Sequence, residues 1–390
     1  MTSPPDTDLR AILTKKLTDD GVLTNPEWFR TFASVPREVF VPYFFRPRRG
    51  QPGWRLVEDS DEWRLGVYSD DALVTQMNGD ELAVARARRG ELVQGQPTSS
   101  SSAPTLMASM LEALDVESGM RVLEIGTGTA YNAALVSHRL GSDQVTTVEV
   151  DPALSAHARA RLDQAGYTPT VVCADGVEGY ADNAPYDRLI ATVAVSSVPP
   201  AWLRQTRPGA VIVIPLRFAG HGGLMATLIR DEHGGATGRF LAQYGGFMPT
   251  RAAEATASAV IRPSLLADAR PTDLPPQALT GNDPAAFYLS LRSPCPYSVL
   301  GFRPEEPGAH IQTWGHGQDG STFALTTVNG AVVVAADGPL WPALEAAYRE
   351  WNQLGRPQRD RVGLTVQPDG RQAVWIDETR NLITTLSTRW

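Results

Sequence analysis

Glu124, Gly126, Gly128 and Glu149 have the types and spacing needed to hold a nucleoside-bearing cofactor. Residues 121–135, RVLEIGTGTAYNAAL, run an apolar strand into a glycine-rich turn and then an amphipathic helix. Gly126 and Gly128, with Thr127 between them, let the backbone turn tightly and come close to a ligand, because neither glycine carries a side chain that would collide with it. Roughly twenty residues on, QVTTVEVDP is a second apolar strand. Its last acid, Glu149, is placed to accept both ribose hydroxyls at the carboxyl edge of a parallel sheet. Asp175-Gly176, at the end of a third strand, could take an adenine amino group through the carboxylate and a nearby backbone amide.

The third glycine of a dinucleotide fingerprint is missing, and Glu124 stands before the turn where it would repel a pyrophosphate. A cofactor without phosphates is favoured. S-adenosylmethionine, cationic at its sulfonium and ammonium, fits, with S-adenosylhomocysteine as its product. The alternatives are an unliganded βα turn, a helix-capping role for Glu149 and a simple turn at Asp175.

The positioning elements read as an α/β fold. From 104 to 216, helices and strands alternate: helix 104–114, strand 121–125, helix 130–140 closed by Gly141, and strand 144–150. A helix over 152–165 with Pro152 at its start and Gly166 past its end follows, then strands 170–174, 187–194 and 210–215. This pattern predicts a Rossmann-like, mostly parallel sheet, with residues 222–247 adding an antiparallel hairpin at its edge. Ahead of it, 8–45 reads as a helical layer in which Asn25-Pro26 caps a helix, and 46–80 as an irregular connection with one hairpin at most. Beyond it, Asn329-Gly330 and Pro368-Asp369-Gly370 mark hairpins around a helix faced by Leu340, Leu344, Tyr348 and Trp351, a small α+β domain. The expected divisions are 1–80, 81–254 and 255–390.

Composition narrows the function classes. The 390 residues are 42% hydrophobic and 20% charged with a formal net charge of −8, which opposes broad contact with nucleic-acid phosphates. The runs FRPRRG (45–50) and ARARRG (85–90) are the basic exceptions, either solvated surface or a docking point for an acidic peptide. Two cysteines, Cys173 and Cys295, suit a reducing cytoplasm better than a disulfide framework, and Cys173 reads as a small core residue. No apolar run is long enough to span a bilayer, and no histidine pair or cysteine cluster has metal-site spacing. A soluble, monomeric cytoplasmic protein without a metal is expected.

Beyond the cofactor motifs, VPREVFVP (35–42), SAPTLMASMLE (102–112), VLEIGTGTAY (122–131) and the stretch from APYDRLIATVAV to VPPAWLRQTRPGAVIVIPL (184–216) resemble the protein-L-isoaspartate O-methyltransferase family over residues 8–250. The resemblance implies a class I SAM-dependent methyltransferase fold. It also departs from the family: Thr129-Ala130 stands in place of Ser-Gly, and GGFMP (245–249) matches a Val-Pro ending only loosely. Ser102 aligns with the active-site serine beside the methyl donor and the substrate carboxylate. Thr98, Ser101 and Met248 fall among the substrate-side positions. Taken alone, the polar run 98–102 also reads as a flexible linker.

Methyl transfer to a carboxylate needs no strong base, since Asp is already anionic with a reference pKa of about 3.9. The region after 254 resembles enlarged homologues associated with ATP-grasp (graspetide) or lanthipeptide maturation. That resemblance implies methylation of an Asp in a cyclised ribosomal peptide, the ester then collapsing to aspartimide, with the C-terminal domain gripping the peptide. Repair of isoaspartyl residues in damaged proteins is the alternative; a non-catalytic cofactor- and peptide-binding adaptor is the third.

Overall fold

The computed structural model describes residues 6–218, 221–249, 269–279, 283–301 and 313–386. They fall into two compact units, one of residues up to 193 with 199–214 and 227–236, the other of 194–198, 215–226 and 237 onward. The boundary expected at 254/255 lies outside the described residues.

The first unit opens with α1 (Asp6–Asp19), α2 (Pro26–Ser34) and α3 (Arg37–Phe40). Asn25 caps α2 as its sequence suggests, its side chain accepting the Glu27 amide at 2.8 Å. The α2 face carrying Trp28 and Phe32 is buried, and Phe32 and Phe40 meet the Tyr131 ring at 6.4 and 5.9 Å.

Residues 46–80 are more regular than their composition indicates. Strands β1 (Tyr43–Pro47), β2 (Trp54–Glu58), β3 (Leu73–Met77) and β4 (Pro97–Ser101) form an antiparallel sheet in the order β2-β1-β3-β4, with α4 (Asp61–Val67) and α5 (Ala83–Arg88) between them. Phe45, Met77, Ala83 and Val93 form its own small core, a set too scattered along the chain to show a period. The serine run 98–101 is therefore a strand and not a linker. The basic runs are largely ion-paired: Arg46 and Arg55 share Glu62, Arg86 meets Asp80, Arg88 meets Glu58 and Arg89 meets Glu91.

The α/β part follows the expected alternation: α6 (Pro104–Leu114), β5 (Val122–Ile125), α7 (Tyr131–Leu140), β6 (Val145–Glu149), α8 (Pro152–Gln164), β7 (Thr170–Cys173), β8 (Tyr186–Ala191), α9 (Pro200–Gln205) and β9 (Thr206–Phe218). The order β7-β6-β5-β8-β9 is parallel. β5 and β6 are buried along their whole length, as strands covered on both faces should be. β7 is the edge strand, so Cys173 is exposed and not a core residue.

β9 and the next strand, β10 (His221–Arg230), pass through both units. The second unit adds β11 (Ala236–Tyr244), β12 (Arg270–Pro271), α10 (Pro284–Arg292), β13 (Tyr297–Gly301), β14 (Thr313–Gly317), β15 (Thr322–Val328), β16 (Ala331–Asp337), α11 (Leu340–Gln353), β17 (Val362–Val366), β18 (Gln372–Ile376) and β19 (Leu382–Leu386). The hairpin β10–β11 is not an edge, because β17, β18 and β19 continue from β11 and make the sheet evenly mixed where a mostly parallel one was expected. A separate antiparallel sheet runs β12-β16-β15-β14-β13. Its β15–β16 turn has Asn329 and Gly330 at φ 51° and 81°, the pair of left-handed residues its Asn-Gly predicts. Leu340, Trp341, Leu344, Ala347 and Trp351 are the buried face of α11. No helix among the described residues is long and apolar enough to cross a membrane, and no group of three His, Cys, Asp or Glu side chains among them could hold a metal.

Candidate active site

The site lies in the first unit, at the carboxyl ends of β5 and β6. Gly126 turns the chain at φ 94°; a Cβ there would sit 2.7 Å from Val193 Cγ1 and 2.9 Å from Thr192 Oγ1, so only glycine fits. Gly128 (φ 52°) lies beside the serine strand, its missing Cβ 3.6 Å from Ser99 Oγ and 3.7 Å from the Ser100 carbonyl. The two features singled out in the sequence, the glycine turn and the serine run, thus adjoin each other.

Glu149 is 7% exposed and uses one lone pair of each oxygen inside the protein: Oε2 accepts the Gly128 amide at 2.8 Å and Oε1 the Asp151 amide at 3.1 Å. A carboxylate has about four acceptor positions, so two remain for vicinal hydroxyls. Glu124, buried beneath the turn, accepts from Asn132 Nδ2 at 2.7 Å and Thr147 Oγ1 at 2.6 Å. Burial pushes its carboxyl up to about 7, with Glu149's negative charge adding to the rise and the Thr147 and Asn132 bonds opposing it. Thr127 Oγ1 lies 2.6 Å from Thr147 Oγ1. Asp175 is exposed and accepts the Val177 amide at 3.0 Å, while Gly176 packs against Ile125, where a Cβ would come within 2.6 Å of Cγ2. The Trp202 indole holds the Gly176 carbonyl at 2.8 Å.

This set fits S-adenosylmethionine: two acids flank the glycine turn, and Asn132 Oδ1 is a buried acceptor without a partner among the described residues. Glu124, Gly126, Thr127, Gly128 and Glu149 would hold the cofactor, Asp175-Gly176 lying at the end of the neighbouring β7.

On the acceptor side, Ser101 ends the serine strand and Ser102 follows it. Ser101 is buried and Ser102 half-buried; the Ser102 hydroxyl has no partner among the described residues. Thr98 differs, because its hydroxyl accepts the Gly79 amide and donates to Gln76 Oε1, both at 2.8 Å, and Gln76 in turn donates to Asp151 at 3.0 Å. That relay occupies Thr98 structurally. Met248 lies in the second unit, where its carbonyl accepts the Ala194 amide at 2.8 Å.

Arg37 is the residue that motif reading passed over. Fully buried, it donates through Nη1 to the Val67 and Ser69 carbonyls (2.8 and 3.0 Å) and through Nη2 to Asp71 O (3.3 Å), Ser101 Oγ (3.3 Å) and Ser102 O (3.0 Å). Its charge lies over the Tyr131 ring at 5.7 Å. The available signal was an arginine inside the apolar segment VPREVFVP, a charge that burial tolerates when its donors find acceptors, as both Nη atoms do here while Nε has none among the described residues.

The family described as Protein-L-isoaspartate(D-aspartate) O-methyltransferase (PCMT) matches residues 86–237. The protein-L-isoaspartate O-methyltransferase of Ignicoccus hospitalis is 34% identical over 206 residues, 52% of this chain and 80% of that one. Its namesake in Thermococcus sibiricus is 35% identical over 245 residues, covering 57% and 93%. A solved structure titled protein-L-isoaspartate O-methyltransferase shares the fold with a TM-score of 0.51 at 20% identity, over 95% of this chain and all of that one. With the glycine turn, its flanking acids and the serine strand in place, and similarity running through four-fifths or more of such relatives, the chain belongs to the protein-L-isoaspartate O-methyltransferase family of SAM-dependent carboxyl methyltransferases.

Proposed function

We propose that the protein methylates the free α-carboxylate of isoaspartyl residues in proteins and peptides. The observation that carries this reading is the Ser102 hydroxyl, without a partner among the described residues, just after a strand that Arg37 pins and that adjoins the glycine turn. Bound S-adenosylmethionine would supply an electrophilic methyl group, which a carboxylate oxygen would take with its lone pair as the carbon–sulfur bond breaks towards sulfur, leaving a methyl ester and S-adenosylhomocysteine. The chain's own task is to orient and desolvate: one carboxylate oxygen is held by the Ser102 hydroxyl while the other attacks. Such positioning can lower a barrier by roughly 7–11 kcal/mol. Two unpaired cysteines, Cys173 exposed and Cys295 half-buried, support a reducing, cytoplasmic setting.

A second reading is methylation of a normal Asp in a cyclised ribosomal peptide, leading to aspartimide. Its support is that the curated relatives match only about half of this chain, leaving the elements after β11 for a specialised substrate. The fold likeness over 95% of the chain weakens that support, because a protein titled as an isoaspartate methyltransferase has a counterpart for those elements. One assay separates the readings: methyl incorporation into a linear isoaspartyl peptide, the same peptide with normal Asp, and a lactone-cyclised Asp peptide. Labelling of the isoaspartyl peptide alone is expected, and labelling confined to the cyclic peptide would replace this reading with the second. The Ser102→Ala variant should lose about 10- to 100-fold in kcat with cofactor affinity kept. Undiminished kcat would remove Ser102 from the site.

A further inference from the structure

The second unit contains a cleft lined by residues that none of the proposed methyl-transfer roles calls on. It is a shallow, open cleft of about 280 Å³, at the small end of ligand clefts, and its polar lining includes Ser196, Arg217, Ser293, Cys295, Thr384 and Thr385. Among the described lining residues there is no carboxylate, although Asp319 bonds the Cys295 thiol at the margin.

Three features give this cleft the character of a built site. The segment carrying Ser196 is tied on both sides: the Arg217 amide donates to Val195 O at 2.8 Å and the Val195 amide to Pro215 O at 3.1 Å. At its other end the buried Gln372 side chain exchanges two bonds with Val198, at 2.9 and 3.0 Å. Two other lining residues are also held, since Ser290 and Ser293 donate their hydroxyl protons to the carbonyls of Phe287 and Cys295 at 2.7 and 2.6 Å. Half-buried Arg217, in contrast, has no side-chain hydrogen bond or ion pair among the described residues. A guanidinium is a planar fork of donors matched to two oxygens of a carboxylate or phosphate, and desolvating it partly without an anion is costly.

We propose that this cleft binds a small oxoanion, a carboxylate or a phosphate, through the fork of Arg217, with the Thr385 hydroxyl as a further donor. The volume admits a single acidic group with its immediate carbon frame. The proposal is independent of which carboxylate the enzyme methylates, and its readout is binding.

The test uses the full chain with Cys173→Ser, which leaves Cys295 as the only thiol. Alkylation of Cys295 by iodoacetamide is timed with inorganic phosphate or with N-acetyl-L-aspartic acid N-methylamide, and each probe is titrated calorimetrically. Protection by phosphate alone assigns the cleft to phosphates, and protection by the aspartate derivative alone assigns it to carboxylates; either supports the proposal. Arg217→Met should weaken the effective probe about tenfold or more. Arg217→Lys keeps the charge without the fork and should fall between, which keeps the test open if the Met variant folds poorly. Failure of both probes to slow alkylation, or equal affinity in wild type and a folded Arg217 variant, would overturn it.

Discussion

Arg37 Nη2 donates to the Ser102 carbonyl at 3.0 Å across 65 residues of chain, so a buried cation holds the backbone of the candidate catalytic serine. The same guanidinium binds the carbonyls of Val67, Ser69 and Asp71, fastening the segment after α4 to the end of β4. Burial lowers its pKa to about 10, which still leaves it charged at neutral pH. Arg37→Lys cannot span these acceptors with a single ammonium. We expect kcat/KM to fall on the order of 10²-fold, with cofactor Kd unchanged. Steady-state kinetics beside calorimetric cofactor titration check this, and a matching loss of cofactor binding would point to general damage instead.

Glu124 should make both stability and cofactor binding depend on pH, in opposite senses. Its carboxyl titrates near 7 in the fold against an ordinary value of 4.5, so the native protein holds this proton more tightly than the unfolded chain. Its stabilising contribution is complete below about 4.5 and is lost as pH rises through about 7. A cationic cofactor favours the carboxylate, so affinity should rise over the upper part of that window, with proton release on binding. Glu124→Gln should flatten both slopes; thermal melts across pH and calorimetry in buffers of different ionisation enthalpy measure them. An unchanged slope in the variant would assign the titration elsewhere.

Ala130 caps the start of α7 at φ 70°, a left-handed conformation that suits glycine. Left-handed backbone costs a non-glycine residue roughly 1–2 kcal/mol, partly offset by the entropy a new glycine gains on unfolding. Ala130→Gly should therefore stabilise by up to about 1 kcal/mol, seen as a higher urea midpoint at constant m. The glycines should rank differently. Gly128→Ala meets nothing closer than 3.6 Å and suffers only backbone strain, whereas Gly126→Ala also strikes Val193 and Thr192 and should cost more in both stability and cofactor affinity.

Gln372 pairs with Val198 through both ends of its amide, copying a strand's hydrogen bonds with a side chain. Gln372→Leu leaves a buried amide and a buried carbonyl unpaired and should destabilise by about 1–3 kcal/mol. Gln372→Glu keeps the acceptor and loses the donor, so it should retain the Val198 amide bond alone. Hydrogen exchange at Val198 reads the difference: protection lost in the Leu variant and kept in the Glu variant. Equal protection in both would mean that the strand neighbours hold this segment without Gln372.

Local chemistry made much of the site legible. The turn at Gly126 and Gly128 and the place of Glu149 at its strand end follow from the sequence, because a tight turn needs residues without Cβ and a strand end fixes where its last side chain goes. Asn25, Pro152 and Asn329-Gly330 likewise announced their cap, helix start and hairpin, all within a few residues of chain. What only the tertiary structure decided involves partners far apart. The sheet of β1–β4 has too short and mixed a pattern to show itself. Arg37 binds mainly backbone carbonyls, which every residue has and no motif records. Thr98 is committed to Gln76 and Gly79, Cys173 is exposed because β7 is an edge, and Gln372 meets Val198 across 174 residues. Sequence spacing specifies short-range geometry; which distant groups share a buried polar partner is set only when the chain closes on itself.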